Sequence, residues 1–100
     1  MNTIDYKFTL CPVCGYGIGH EAWSTTSWNG SLDICSSCGI QFGYDDFAGG
    51  DKERRVKLQK QWREQWIKNG MPWFGISQKC PAGWDPKIQL ENLLKNEESR

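Results

Sequence analysis

Two short cysteine turns constrain this chain more than anything else in it. Cys11-Pro12-Val13-Cys14-Gly15 and Cys35-Ser36-Ser37-Cys38-Gly39 repeat the pattern C-x-x-C-G, with twenty residues between the pairs. Each such turn points two thiolates inward, and a hairpin between the turns brings them face to face. Four soft thiolates complete a tetrahedral shell around Zn²⁺ and leave no position for water or substrate. Glycine after each second cysteine tolerates the positive φ that turns backbone N–H groups back toward the sulfurs. The spacing therefore predicts one structural Zn²⁺ per chain, held by Cys11, Cys14, Cys35 and Cys38. A redox dithiol is the competing chemistry, but it needs one pair at a helix N-terminus within a βαβ unit, whereas here two pairs bracket a hairpin.

The chain has 100 residues, which reads as a single domain, 1–100, whose hydrophobic burial alone leaves a small margin of stability. A structural zinc would add apparent binding energy of about 10–16 kcal/mol, much of it expressed as folding energy. Thirteen aromatics, six of them Trp, are the second resource. Formal charge is zero before metal, so bulk attraction to nucleic acid is not expected. Nothing approaches the roughly 20 apolar residues that span a bilayer. Met1 to Leu10 has neither a basic start nor an apolar run, so no secretory signal is read there and a cytoplasmic location is expected. Without export, five cysteines read as metal ligands rather than disulfides.

The expected architecture is α+β: a small antiparallel zinc ribbon over residues 6–44, followed by a helical part, 51–96, in which two helices pack against it. Tyr6, Phe8 and Leu10 alternate as a strand should, Glu21 to Trp28 can be a second, and Asn29-Gly30 is a type I′ hairpin signal before Leu32 and Ile34. Ile40, Phe42 and Tyr44 suggest a third strand. Asp51 is a good N-cap for a helix over Lys52–Lys68, which carries an apolar stripe of Leu58, Trp62 and Trp66 and stops at Asn69-Gly70. Asp85-Pro86 opens the second helix, with Ile88, Leu90, Leu93 and Leu94 as its apolar side.

The first turn, the hairpin, the second turn with its trailing Asp45-Asp46, and Pro81-Ala82-Gly83-Trp84-Asp85-Pro86 with Gln89-Leu90 together resemble the bacterial cysteine-rich CPCC family. The resemblance spans most of residues 9–95 and implies a short zinc-ribbon protein. Small relatives of this kind encoded beside polymorphic toxins imply an immunity role, that is, binding and inhibiting a cognate toxin. The chain departs from the pattern at Val13, where the family name calls for a third cysteine; Cys11 and Cys14 keep the ribbon spacing.

Three function classes follow. The first is a zinc-binding protein-interaction module, most concretely an immunity-type inhibitor of a toxin or enzyme, contacting its partner through Trp23, Trp28 and Trp73 with Asp45 and Asp46 as polar contacts. The alternative is a nucleic-acid-binding zinc ribbon reading a phosphate backbone with the Lys52–Arg63 helix; the whole segment Lys52–Lys68 holds seven basic residues against two acidic. Those cations flank an apolar stripe, and the first fifty residues carry five acidic residues against one basic, so the helix can equally cover an acidic ribbon. An enzyme ranks third, since no nucleophile–base set, open metal site or phosphate loop is found. Cys80 reads as a loop or packing thiol, and His20 would be a fifth ligand for a metal that takes four.

Overall fold

The computed structural model describes residues 10–23, 30–75 and 78–98, and its regular elements are two helices, α1 (Lys52–Lys68) and α2 (Pro86–Glu98). Both start where an aspartate can cap them. Asp51 accepts from the Arg54 N–H at 3.1 Å. The Asp85 carboxylate takes the N–H groups of Lys87 and Ile88 at 2.9 and 3.2 Å, with Pro86 in the first helical position, where a missing N–H costs nothing. α1 ends in a Schellman pair: Gly70 N–H to the Ile67 carbonyl at 3.0 Å and Met71 N–H to the Trp66 carbonyl at 2.8 Å. Gly70, at φ 95°, supplies the left-handed turn that this pair requires.

The expected antiparallel sheet is not there. Among the described residues no strand forms, and the extended pairings are three isolated bridges, Leu10 with Gly17, Trp23 with Gly30 and Ile34 with Gln41. The α+β zinc ribbon is therefore replaced by two cysteine knuckles wrapped by helices. Pairing begins, with Phe42 N–H on the Asp33 carbonyl at 3.1 Å and Leu32 N–H on the Phe42 carbonyl at 2.9 Å, but local turns stop it there. Past the second knuckle, Asp45 takes the Gln41 N–H at 2.8 Å and Asp46 takes the Gly43 N–H at 2.7 Å. Tyr44 and Asp45 N–H both turn back to the Gln41 carbonyl, at 3.1 and 2.9 Å. Short acidic side chains thus coil residues 41–46 into consecutive turns instead of the strand read from Ile40, Phe42 and Tyr44. Opposite them, Leu32 sits at φ 66°, which breaks the extended geometry of the return segment. The strand residues Tyr6 and Phe8, and Trp28 with the hairpin residue Asn29, lie outside the described residues.

What remains of the expected symmetry is a repeat of backbone. The N–H of Cys11 bonds the Tyr16 carbonyl at 2.8 Å and that of Cys35 bonds the Ile40 carbonyl at 2.9 Å; Gly15 N–H returns to Cys11 at 2.9 Å and Gly39 N–H to Cys35 at 2.8 Å. Every one of these positions recurs 24 residues later, as do the bridges at Leu10 and Ile34. Gly15 and Gly39 sit at φ 88° and 83°.

The four knuckle cysteines lie inside the core rather than beside it. They are buried with Val13, Ala22, Ile40, Phe42 and Trp66, while Tyr16, Ile18, Trp23, Trp62, Met71, Trp84 and Leu90 pack around them. The inner face of α1 is centred on Gln59, Trp62, Arg63 and Trp66, the i, i+3, i+4, i+7 spacing of one helix face, with Leu58 at its margin. Two polar residues thus occupy core-facing positions. No helix among the described residues is long and apolar enough to cross a membrane.

Candidate metal centre

The two knuckles bring the Sγ atoms of Cys11, Cys14, Cys35 and Cys38 within 4.8 Å of one another, and all four residues are buried. Across the knuckles, Cys11 to Cys38 and Cys14 to Cys35 are each 3.7 Å. Zn–S bonds of about 2.3 Å in a tetrahedron set sulfur–sulfur edges of about 3.8 Å, whereas a disulfide needs about 2.0 Å. The cysteines are free, and their spacing is that of a tetrahedral metal shell. The cluster can hold one metal ion with no position left for solvent.

Electrostatics agree with geometry. Burial pushes the Cys11 and Cys38 thiols well above the ordinary thiol range, while hydrogen bonds from Cys11, Cys14 and Cys38 pull Cys35 down. Four thiolates taken out of water together need a compensating charge. A divalent cation at the centre of the cluster would supply it.

Around this cluster the helices form an outer shell of hydrogen bonds, nearly all aimed at knuckle backbone. From α1, Arg63 donates through Nε to the Val13 carbonyl at 2.7 Å and through its terminal nitrogen to the Pro12 carbonyl at 2.9 Å. The same nitrogen pairs with Glu97 at 3.1 Å, which ties α1 to α2. Trp62 Nε1 donates to the Cys38 carbonyl at 2.9 Å. From α2, Gln89 Nε2 bonds the Cys14 carbonyl at 3.1 Å and the Ser37 hydroxyl at 3.0 Å, and its own Oε1 accepts from Trp84 at 2.8 Å. The connector adds Phe74 N–H to Ser37 at 3.1 Å and Gly75 N–H to Ser36 at 2.8 Å. Among the described residues no buried side-chain nitrogen or oxygen lacks a partner.

A second polar hub lies beside the knuckles. Asp46 is fully buried, and its carboxylate accepts from Trp23 Nε1 at 2.9 Å, Gln59 Nε2 at 2.8 Å and Gly43 N–H at 2.7 Å. It fastens the loop after the second knuckle to α1 and to the segment carrying Trp23. Asp45 is half-buried and holds the Gln41 N–H. Both acids named from sequence as partner contacts are thus engaged within the fold. Trp23 is half-buried under the Arg55 guanidinium, 4.0 Å from its ring centre. Trp73 is half-buried in an edge-on aromatic chain, 5.3 Å from Tyr16 and 5.1 Å from Trp84. Trp28 lies outside the described residues. Cys80 is exposed, outside the cluster, and His20 faces Asp33 at 3.4 Å near the surface.

Sequence reasoning missed Arg63 and Gln89 as parts of the centre and Gln59 as a partner of buried Asp46, and it missed the exposed trio Leu32, Tyr44 and Phe47. One signal was present. Gln59 and Arg63 interrupt the inner face of α1 beside Trp62 and Trp66, and Gln89 precedes Leu90 on the face of α2 that reaches Leu93. A polar residue at a core-facing position needs a buried partner. No family model, curated protein or solved structure matches this chain, so the centre is interpreted from its own geometry.

Proposed function

We propose that the chain is a zinc-held protein-interaction module, in which the metal is structural and the contact surface lies on the loop after the second knuckle. The observation that carries this reading is the pairing of rigidity with apolar exposure on that loop. Asp45 and Asp46 pin its backbone at Gln41 and Gly43, yet Tyr44 is 73% exposed, Phe47 61%, and the facing Leu32 60%. Large apolar side chains held outward on a fixed backbone lose little freedom on binding, the property of interface anchors. Beside them Trp23, Phe47 and Arg55 border a cleft of about 250 Å³ that runs past Ala48 to Asp51.

Zinc is preferred because four thiolates in a closed tetrahedral shell suit it, with a single iron as the rival for the same donors. The nucleic-acid reading is weakened by what the cations of α1 do. Arg63 is engaged with knuckle carbonyls and Arg55 with Trp23. The narrower form of the reading, an immunity-type protein that inhibits a toxin, draws on the resemblance of the cysteine turns and the 81–90 segment to the CPCC family.

The test has two parts. Metal analysis of protein purified without chelator is expected to give one zinc per chain in the wild type and none in Cys35→Ser. Affinity for a partner isolated from extracts of the source cells is expected to fall about 30- to 1000-fold in Tyr44→Ser/Phe47→Ser and to change little in Lys57→Ala/Lys60→Ala. Binding to duplex or single-stranded nucleic acid that falls steeply with salt and is lost in the lysine variant would overturn the protein-partner reading.

A further inference from the structure

Each knuckle is a local turn, but nothing local brings one knuckle to the other. They are separated by twenty residues, and among the described residues only isolated bridges lie between them, no ladder. Among the described residues, and besides the cysteine cluster itself, Gln89 hydrogen-bonds to both. Gln89 Nε2 carries two N–H groups, and they go to different knuckles: the Cys14 carbonyl at 3.1 Å in the first and the Ser37 hydroxyl at 3.0 Å in the second. Its Oε1 is held by the Trp84 indole N–H at 2.8 Å, which fixes the amide so that the nitrogen faces the knuckles. The helix carrying Gln89 can come this close because Gly15 has no side chain. A Cβ there would stand 2.6 Å from the Gln89 carbonyl oxygen and 2.9 Å from Leu93 Cβ.

We propose that Gln89 is the positioning residue that couples metal retention to docking of α2, bridging the two knuckles only when a metal ion holds their sulfurs together. The inference rests on the metal reading given above. Its logic is linkage: a bridge that fits one separation of the knuckles favours metal binding by as much as the metal favours the bridge. Outer-shell partners of this kind typically change metal affinity by about 10- to 100-fold. The indole N–H of Trp84 then acts on the metal through Gln89, since it goes to the glutamine and not to a knuckle, and Trp84→Phe removes that N–H while keeping an aromatic ring in the packing around the cluster.

The experiment measures transfer of zinc from the full chain to an excess of a chromogenic chelator. The set comprises wild type, Gln89→Ala, Gln89→Glu, Trp84→Phe and the double variant Gln89→Ala/Trp84→Phe, with Lys87→Ala as a control on the exposed side of α2. Gln89→Glu keeps the shape but replaces the donor with a charged acceptor. Both Gln89 variants are expected to lose metal affinity by about 10- to 100-fold, and Lys87→Ala to match the wild type. Trp84→Phe is expected to weaken retention in the wild-type background and to add nothing once Gln89 is alanine. A purely structural role for Trp84 would give additive losses instead. Gln89 variants that hold zinc like the wild type would overturn the proposal, whereas a wild type that takes up no metal would overturn the metal reading beneath it. Hydrogen exchange of the unaltered protein needs no variant. Chelation is expected to strip protection from the α2 amides, and α2 amides equally protected with and without metal would refute the coupling.

Discussion

Asp46→Ala is the substitution that most directly tests how the loop after the second knuckle is held. The native carboxylate satisfies three donors at 2.7 to 2.9 Å inside a fully buried position. A hydrogen bond to a charged acceptor contributes about 1.5–3 kcal/mol, so three would set an upper bound of about 4.5–9 kcal/mol. Trp23 and Gly43 are only half-buried and can recruit water, which brings the expected cost to about 3–5 kcal/mol. For a chain of this size that corresponds to a midpoint lowered by more than about 10 °C. Asp46→Asn should cost less, about 2 kcal/mol. If its oxygen stays on the Gly43 N–H, its amide nitrogen faces Trp23 and Gln59; Gln59 can rotate to offer an oxygen, but the indole is a donor only. The assay is thermal unfolding followed by far-UV circular dichroism at fixed, saturating zinc, since metal shifts stability by mass action. A loss below about 1 kcal/mol for the alanine variant, or an asparagine variant as damaged as the alanine, would refute the three-donor account.

The remaining predictions follow from the cysteine cluster and its glycines. A thiol reagent applied to the zinc-loaded protein should label Cys80 alone, because the other four are buried, and mass spectrometry after chelation should then find all five modified; metal loss in Cys80→Ala would contradict the ligand set. Zinc uptake at neutral pH should release protons from at least Cys11 and Cys38, whose thiols burial holds protonated until a metal replaces the proton. Acidification should correspondingly expel the metal, and calorimetry in buffers of different ionisation enthalpy checks the sign. Gly15→Ala should destabilise more than Gly39→Ala. Both pay about 1–2 kcal/mol for a side chain at positive φ, but the first meets the Gln89 backbone at 2.6 Å and the second meets the ring of Phe74, which is 52% exposed and free to swing away.

The knuckles and both helices were legible from sequence because their determinants are short-range. Ligand spacing, the glycine after each knuckle, Asp51, Asp85-Pro86 and Asn69-Gly70 each act within about one turn of chain. The sheet was misjudged for an equally local reason read with the wrong weight. Alternation at Ile40, Phe42 and Tyr44 looks like a strand, yet pairing stops at Phe42, which reaches across to Leu32 and Asp33 before Asp45 and Asp46 fold the segment back on the Gln41 and Gly43 N–H groups. The outer shell was invisible for the opposite reason. Arg63 reaches carbonyls 50 and 51 residues away, and Gln89 reaches 75 and 52 residues back, distances over which no sequence period carries information.

That separation has a consequence for how the molecule is made. Translation delivers Cys38, the last of the four thiols, well before Gln89, which follows 51 residues later. At about 5–20 residues per second the interval is roughly 3–10 s. During that time the nascent chain has all four sulfurs but not the glutamine that bridges their turns. If Gln89 couples metal retention to α2 as proposed, metal capture and metal locking are separate events, and chains arrested before α2 should exchange zinc with a chelator faster than completed ones.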